Sequence, residues 1–189
     1  MQFIHLVDGA YPKKLCNDLI DFFETNINLA QPGEAGDNKL NNLELCLGID
    51  FKNPSHFGLE SILSNMISQY KEKFSLIDSS IGGWHVTPTC QLAKYEPNKY
   101  YSYIHCENDG QSKHFPRIFG WMMYLNDIKE GGGTYFPHQN FTTKPDAGNL
   151  YIWPAGWTHM HQGVNAPKEI KYTLTGWVDY RTIVEEEEE

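Results

Sequence analysis

Two separated stretches of the chain carry side chains able to bind a metal. His105 and Glu107 lie two residues apart in Tyr103-Ile-His-Cys-Glu-Asn108. In extended backbone, positions i and i+2 point to the same side, so an imidazole and a carboxylate can converge on one ion. His161, in Trp157-Thr-His-Met-His-Gln-Gly163, is the best third ligand from a distant part of the chain. Two histidines and one carboxylate make a facial triad that leaves positions open on an octahedral iron. 2-Oxoglutarate suits two of them, through its 1-carboxylate and keto oxygen, and dioxygen the third. A centre of this kind attacks unactivated C–H bonds. The metal and co-substrate carry that chemistry and the protein orients them. A His-x-Glu pair alone is a weak signal, because most such pairs are surface polar residues. Lys171 strengthens it. It follows His161 by ten residues inside an apolar, β-rich stretch, where an ammonium is costly unless it meets an anion. The far carboxylate of 2-oxoglutarate is a suitable anion. Taken alone, Lys171 also reads as an edge-strand lysine facing solvent.

These residues need a frame, and the hydrophobic pattern supplies one. Residues 2–6 read as a short strand. Pro12 suits a first helical turn, and Leu15, Leu19, Phe22 and Phe23 recur at helical spacing, which predicts a helix over 12–26. A second helix over 58–76 would bury Leu59, Ile62, Leu63, Met66, Tyr70 and Phe74. Residues 30–57, with Pro32, Gly33, Gly36 and several Asn, read as loop with one extended piece near Leu43–Ile49. After Gly83 the period changes to strands over 89–95, 118–125, 148–153 and 170–178, separated by turn signals such as Gly131-Gly132-Gly133 and Pro145-Asp146. Helices followed by strands predict an α+β fold around an antiparallel sandwich or jelly roll.

The 189 residues suit one domain with one sizeable core. We expect a single domain over 1–182, with helical support in 1–83 and the jelly roll in 84–182, followed by an acidic tail over 183–189. The formal charge of −9 argues against nucleic acid as a partner, although removing Glu185 to Glu189 brings it to −4. Cys16, Cys46, Cys90 and Cys106 form no CxxC pair and suggest no disulfide framework. No apolar run reaches 18 residues, and the first ten residues lack the pattern of a signal peptide. The expectation is a cytoplasmic protein with no membrane partner.

Read together, the motifs resemble those of prolyl 4-hydroxylase-like Fe(II)/2-oxoglutarate-dependent dioxygenases. The matching pieces are Tyr95-Glu-Pro-Asn-Lys-Tyr-Tyr-Ser-Tyr-Ile-His105, Arg117 through Leu125-Asn126-Asp127, Gly131-Gly-Gly-Thr-Tyr-Phe136, Pro145-Asp-Ala-Gly148 through Trp153-Pro154, and His161-Gln-Gly163 followed by Lys171 and Trp177. The match runs over 90–178 with order and spacing kept. The resemblance implies a double-stranded β-helix, iron ligands at His105, Glu107 and His161, and a 2-oxoglutarate anchor at Lys171. It also implies that Tyr95 lies near the co-substrate, and that Thr134 and Trp177 line the pocket or pack beside it. Fe(II), 2-oxoglutarate and O2 follow as cofactors, with ascorbate a further candidate. The implied substrate is a prolyl residue in a peptide or protein, with a free amino acid or other small molecule as the alternative. Substrate choice is expected in the segments 28–57, 79–88 and 108–116.

Two positions depart from the family pattern. The acidic ligand is usually Asp and here is Glu107, whose extra methylene changes its reach. Asn98 stands where Gly is common. Asp109 is a fallback carboxylate. His159 shares the alternation of His161, but the spacing to Lys171 and the following Gly163 favour His161. His5, His56, His85, His114 and His138 read as ordinary histidines, with His138 the one to re-examine. Three rival readings remain. A zinc hydrolase would have no need of Lys171, and a non-catalytic jelly-roll module would be expected to have lost part of the set. A halogenase would replace Glu107 with a small residue.

Overall fold

A computed structural model describes residues 3–35, 38–48, 58–77 and 83–180. The acidic tail, His56 and residues 78–82 lie outside them. The chain forms β1 (His5–Val7), α1 (Lys13–Thr25), β2 (Gln31–Ala35), β3 (Asn38–Gly48), α2 (Leu59–Lys73), β4 (Trp84–Tyr95), β5 (Arg117–Tyr124), β6 (Thr134–Phe136), β7 (Phe141–Thr142), β8 (Leu150–Pro154), β9 (Gln162–Gly163) and β10 (Lys171–Tyr180). Seven strands make one antiparallel sheet in the order β1-β8-β5-β10-β4-β3-β2, and β7-β6-β9 make a second. With the helices on one face of the large sheet, this is the α+β double-stranded β-helix. Among the described residues no helix is long and apolar enough to cross a membrane. Cys16, Cys90 and Cys106 are free thiols.

The helices form because their apolar stripes have a sheet face to cover. Cys16, Leu19 and Phe23 of α1, and Leu59, Leu63, Met66 and Tyr70 of α2, are buried with Leu92, Phe119, Trp121, Met123, Leu150, Ile152, Leu174 and Val178. Ile62 and Phe74 are only partly buried at the edge of this core. A second cluster of Ile4, Met122, Tyr124, Phe136, Tyr151 and Trp153 lies on the opposite face, under the small sheet.

β10 divides the two environments. Tyr172, Leu174 and Val178 point to the helix side, whereas Lys171, Thr173, Thr175 and Trp177 line a cavity on the other. Its neighbours are β4 and β5, with Lys171 opposite Tyr95 and Trp177 opposite Gly120. Asn126 fixes the start of β10, because its side chain donates to Ile170 O (2.7 Å) and accepts from Tyr172 N (2.8 Å). Ahead of β6, Gly131 and Gly132 have φ of 71° and 73°, which side chains rarely adopt. A Cβ on Gly131 would also strike Asn165 O at 1.8 Å.

Several elements depart from the sequence reading. The segment read mostly as loop, 30–57, contains the β2–β3 hairpin, and β3 pairs with β4 through Leu43↔Lys94 to Gly48↔Thr89. Its Asn- and Gly-rich composition signals turns, but an edge hairpin gains its backbone partners from a neighbour that local pattern does not reveal. Likewise β4 begins at Trp84, so 84–88 are strand and not loop. The Gly-rich motif ends in a strand, β6, and the first strand covers His5–Val7 instead of 2–6. Residues 108–116 hold no strand or helix, as expected.

The two faces of β10 should respond differently to truncation. Leu174→Ala, in the helix-side core, should cost about 2–5 kcal/mol in urea unfolding. Thr175→Ala, on the cavity side, should cost less than about 1 kcal/mol. Equal losses would place both side chains in one core.

Candidate metal and co-substrate site

The segment between β4 and β5 is brought to the segment after β8 by backbone pairing. His105 N donates to His161 O (3.0 Å), and His161 N donates to His105 O (2.8 Å). This isolated bridge sets the two imidazoles side by side, 4.4 Å between ring centroids. Glu107, two residues on in extended chain, turns its carboxylate to the same point. Its Oε1 lies 3.3 Å from His161 Nε2, and one ligand atom from each of His105, Glu107 and His161 lies within 4.8 Å of the others. Glu107 and His161 are buried.

The protonation states suit a cation. His105 Nδ1 is 3.1 Å from Tyr103 O and His161 Nδ1 is 2.9 Å from His159 O. A carbonyl can only accept, so each ring carries a proton on Nδ1 and turns its Nε2 toward the site. Burial lowers the His105 pKa, and the neighbouring His161 adds to this, which favours neutral imidazole. Burial alone would raise the Glu107 pKa, but His161 and His105 beside it and the Trp177 N–H hold it well below the usual carboxylate range. The set is two nitrogens and one anionic oxygen around a single point, a donor set that fits iron(II).

Phe136 and Trp153 pack on His161, with ring centroids 5.1 and 5.0 Å away. Tyr101 stacks near His105 at 4.5 Å. Trp177 donates from Nε1 to Glu107 Oε2 at 2.6 Å, and the Arg117 guanidinium lies 3.9 Å above the Trp177 ring. Thr134 hydrogen-bonds Tyr124, which also bonds Thr143, so Thr134 belongs to a satisfied wall of the cavity.

The same cavity, about 830 Å³, extends to Lys171. Its ammonium is buried, stands 4.4 Å over the Tyr95 ring, and pairs with no carboxylate among the described residues. Burial pushes its pKa down to about 8. Near neutral pH it is still charged. A buried cation without an anion, in one cavity with two histidines and a carboxylate, fits a dicarboxylate spanning the two.

Not every candidate joins this group. Asp109 instead bonds Gln111 and His114 through its carboxylate and stays partly exposed. His159 does not share a strand face with His161, because Trp157–His159 form a 3-10 turn. Its backbone carbonyl, not its ring, serves the site. His138 is also outside the cluster. Glu44, Gln91, Tyr101 and Arg117 line the cavity and were not singled out from sequence. Glu44 and Gln91 could be found only once β3 and β4 were paired. Tyr101 and Arg117 stood within quoted motifs but without a stated role.

Residues 90–179 match the family model described as the 2OG-Fe(II) oxygenase superfamily. A protein of Acanthamoeba polyphaga mimivirus named "Putative prolyl 4-hydroxylase" is 25% identical over 146 residues, covering 73% of this chain and 54% of that protein. The chain thus spans about half the length of that curated relative. Among solved structures, a viral collagen prolyl hydroxylase from Paramecium bursaria Chlorella virus 1, in its 2OG complex, superposes with a TM-score of 0.68 at 18% identity. That match covers 95% of this chain and 97% of that one. A Pseudomonas putida prolyl-4-hydroxylase gives 0.66 at 16% identity, covering 94% and 92%. A Trichoplax adhaerens prolyl hydroxylase, in complex with a peptide fragment of the hypoxia inducible factor oxygen degradation domain, gives 0.67 at 15%, covering 95% and 84%. Residues 90–179 thus match a 2OG-Fe(II) oxygenase domain, and the solved prolyl hydroxylases share the fold of this chain.

Without an anion beside it, Lys171 should destabilise the ligand-free protein. Lys171→Met should therefore raise stability at pH 7 by on the order of 1–3 kcal/mol. The folded pKa lies below the unfolded one, so the unfolded chain binds more protons between about 8 and 10.5. Wild-type stability should rise with pH across that window, and Lys171→Met should lack the rise. Chemical denaturation at pH 7, 8, 9 and 10 measures both.

Proposed function

We propose that the protein is a non-haem Fe(II)/2-oxoglutarate-dependent dioxygenase that hydroxylates a prolyl residue in a peptide or protein. The observation that carries the reading is Lys171, a buried ammonium with no carboxylate partner among the described residues, in the same cavity as the His105–Glu107–His161 group. In this reading those three residues hold the iron, and Lys171, backed by Tyr95, holds the far carboxylate of 2-oxoglutarate. With both bound, the centre supplies an oxidation in which 2-oxoglutarate and O2 give succinate and CO2 while one oxygen atom enters a substrate C–H bond.

The chain's own residues set the conditions for that chemistry. The Nδ1–H donors to Tyr103 O and His159 O aim both Nε2 atoms inward. Phe136 and Trp153 keep the surroundings of His161 apolar. The likeness to prolyl hydroxylases supports a prolyl substrate, and the cavity is also lined by Tyr101, Tyr103, Asp109 and Lys113. These are groups able to bond a peptide backbone. A zinc hydrolase has no use for a buried lysine in this cavity, and a non-catalytic binding module would be expected to have lost part of the set of His105, Glu107, His161 and Lys171.

Succinate release and a +16 mass change, measured against proline-containing peptides and free proline, test the activity and separate the peptide from the small-molecule alternative. His161→Ala should abolish succinate release, whereas His159→Ala should only reduce it. The reverse order would refute the ligand choice. Lys171→Ala should raise the apparent KM for 2-oxoglutarate by roughly two to three orders of magnitude, since removing one partner of a buried ion pair costs about 3–5 kcal/mol. A change within about threefold, well under 1 kcal/mol, would remove Lys171 from the site.

A further inference from the structure

We propose that Gly120 and Trp177 are positioning residues that fit this site to a glutamate, Gly120 by making room for the Glu107 side chain and Trp177 by fixing which carboxylate oxygen faces the metal. The proposal rests on the reading above, in which Glu107 holds iron. Gly120 sits in the middle of β5, paired with Trp177 of β10 on one side and Trp153 of β8 on the other. Glycine weakens a strand interior, and Gly120 is not among the positive-φ glycines, so its backbone conformation does not call for it. Contact does. A Cβ at 120 would lie 2.8 Å from Glu107 Cγ, 3.0 Å from Oε1 and 3.1 Å from Cδ. Even a methyl group there would collide with the side chain along its outer length, including the oxygen nearest His161.

Trp177 acts from the neighbouring strand. Its indole N–H donates to Oε2 at 2.6 Å, while Oε1 is the oxygen beside His161 at 3.3 Å. Arg117 holds both partners in place. Its NH1 donates to Glu107 O at 3.2 Å, and its guanidinium covers the Trp177 ring. With Oε2 engaged by the indole, Glu107 presents one oxygen to the ion. That matters because a glutamate free to bind through both oxygens would take a position the co-substrate and O2 need. A carboxylate one methylene shorter would reach neither the indole nor the same point from this backbone.

Metal titration tests this without turnover. Mn(II) binding, followed by electron paramagnetic resonance without 2-oxoglutarate, is measured for wild type, Gly120→Ala, Trp177→Phe, Glu107→Asp and the two double variants with Glu107→Asp. Thermal melts serve as the folding check. Gly120→Ala and Trp177→Phe should each weaken Mn(II) binding roughly 10–100-fold, the range for partners that orient a ligand. Glu107→Asp should weaken it as well. In the Glu107→Asp background, adding either substitution should change affinity less than about threefold, because the space and the hydrogen bond no longer serve the shortened side chain. Equal losses in both backgrounds, no loss in either, or wild-type affinity in Glu107→Asp would overturn the proposal. Should Gly120→Ala fail to fold, Trp177→Phe in the two backgrounds decides by the same criterion. Failure of the wild type to bind Mn(II) would sink the iron-site reading itself. Wild-type binding that is indifferent to Gly120→Ala and Trp177→Phe would sink this inference alone.

Discussion

Strand β10 serves two opposed environments, and the register that lets it do so governs the rest of the molecule. One set of alternate residues, Tyr172, Leu174 and Val178, seals the helix-side core, while Lys171, Thr173, Thr175 and Trp177 line the cavity. Side chains along a strand alternate with a period of two, so a slip of one residue would exchange the sets. It would drive a lysine into the packing of α1 and α2 and turn Leu174 into a polar cavity. The side chain of Asn126, bonded to backbone on both sides of Lys171, holds the register where the cost of error is highest.

The cavity combines groups that would be unfavourable apart. A buried carboxylate is costly in isolation, yet Glu107 is held by the Trp177 indole, the neighbouring His161 and the nearby Arg117. Lys171 has the Tyr95 ring beside it but no carboxylate among the described residues, and is left for an anion from outside. The site is thus satisfied at one end and unsatisfied at the other, and the unsatisfied end gives a dicarboxylate its reason to bind. The apolar helices on the far side of the sheet supply the stability that makes this arrangement affordable.

Much of this was legible in the sequence. The i, i+2 placement of His105 and Glu107, the later His161 and the out-of-place Lys171 are local features, and each points to its chemistry through residue type and spacing. The two helices and the strands at 89–95, 118–125, 148–153 and 170–178 follow from periodicity, because helix and strand faces bury apolar residues at different repeats. The motif order over 90–178 added the family resemblance, and the match over residues 90–179 agrees with it.

What the sequence left undecided depended on pairing between distant segments. The hairpin of β2 and β3 has the composition of a loop and becomes sheet because β4 offers it a free edge. His159 and His161 look equivalent by alternation until the chain turns through a 3-10 helix and only His161 meets His105 across a two-bond bridge. The space for Glu107 depends on a glycine whose role lies in no local motif, since Gly120 touches that side chain only when β5 is seated beside the segment before it. Sequence determined which chemical groups were present and which faces would be buried, because those follow from residue type and short-range period. Tertiary structure decided which of them meet, because strand register and chain reversal are set by the competition of all apolar surfaces for one core.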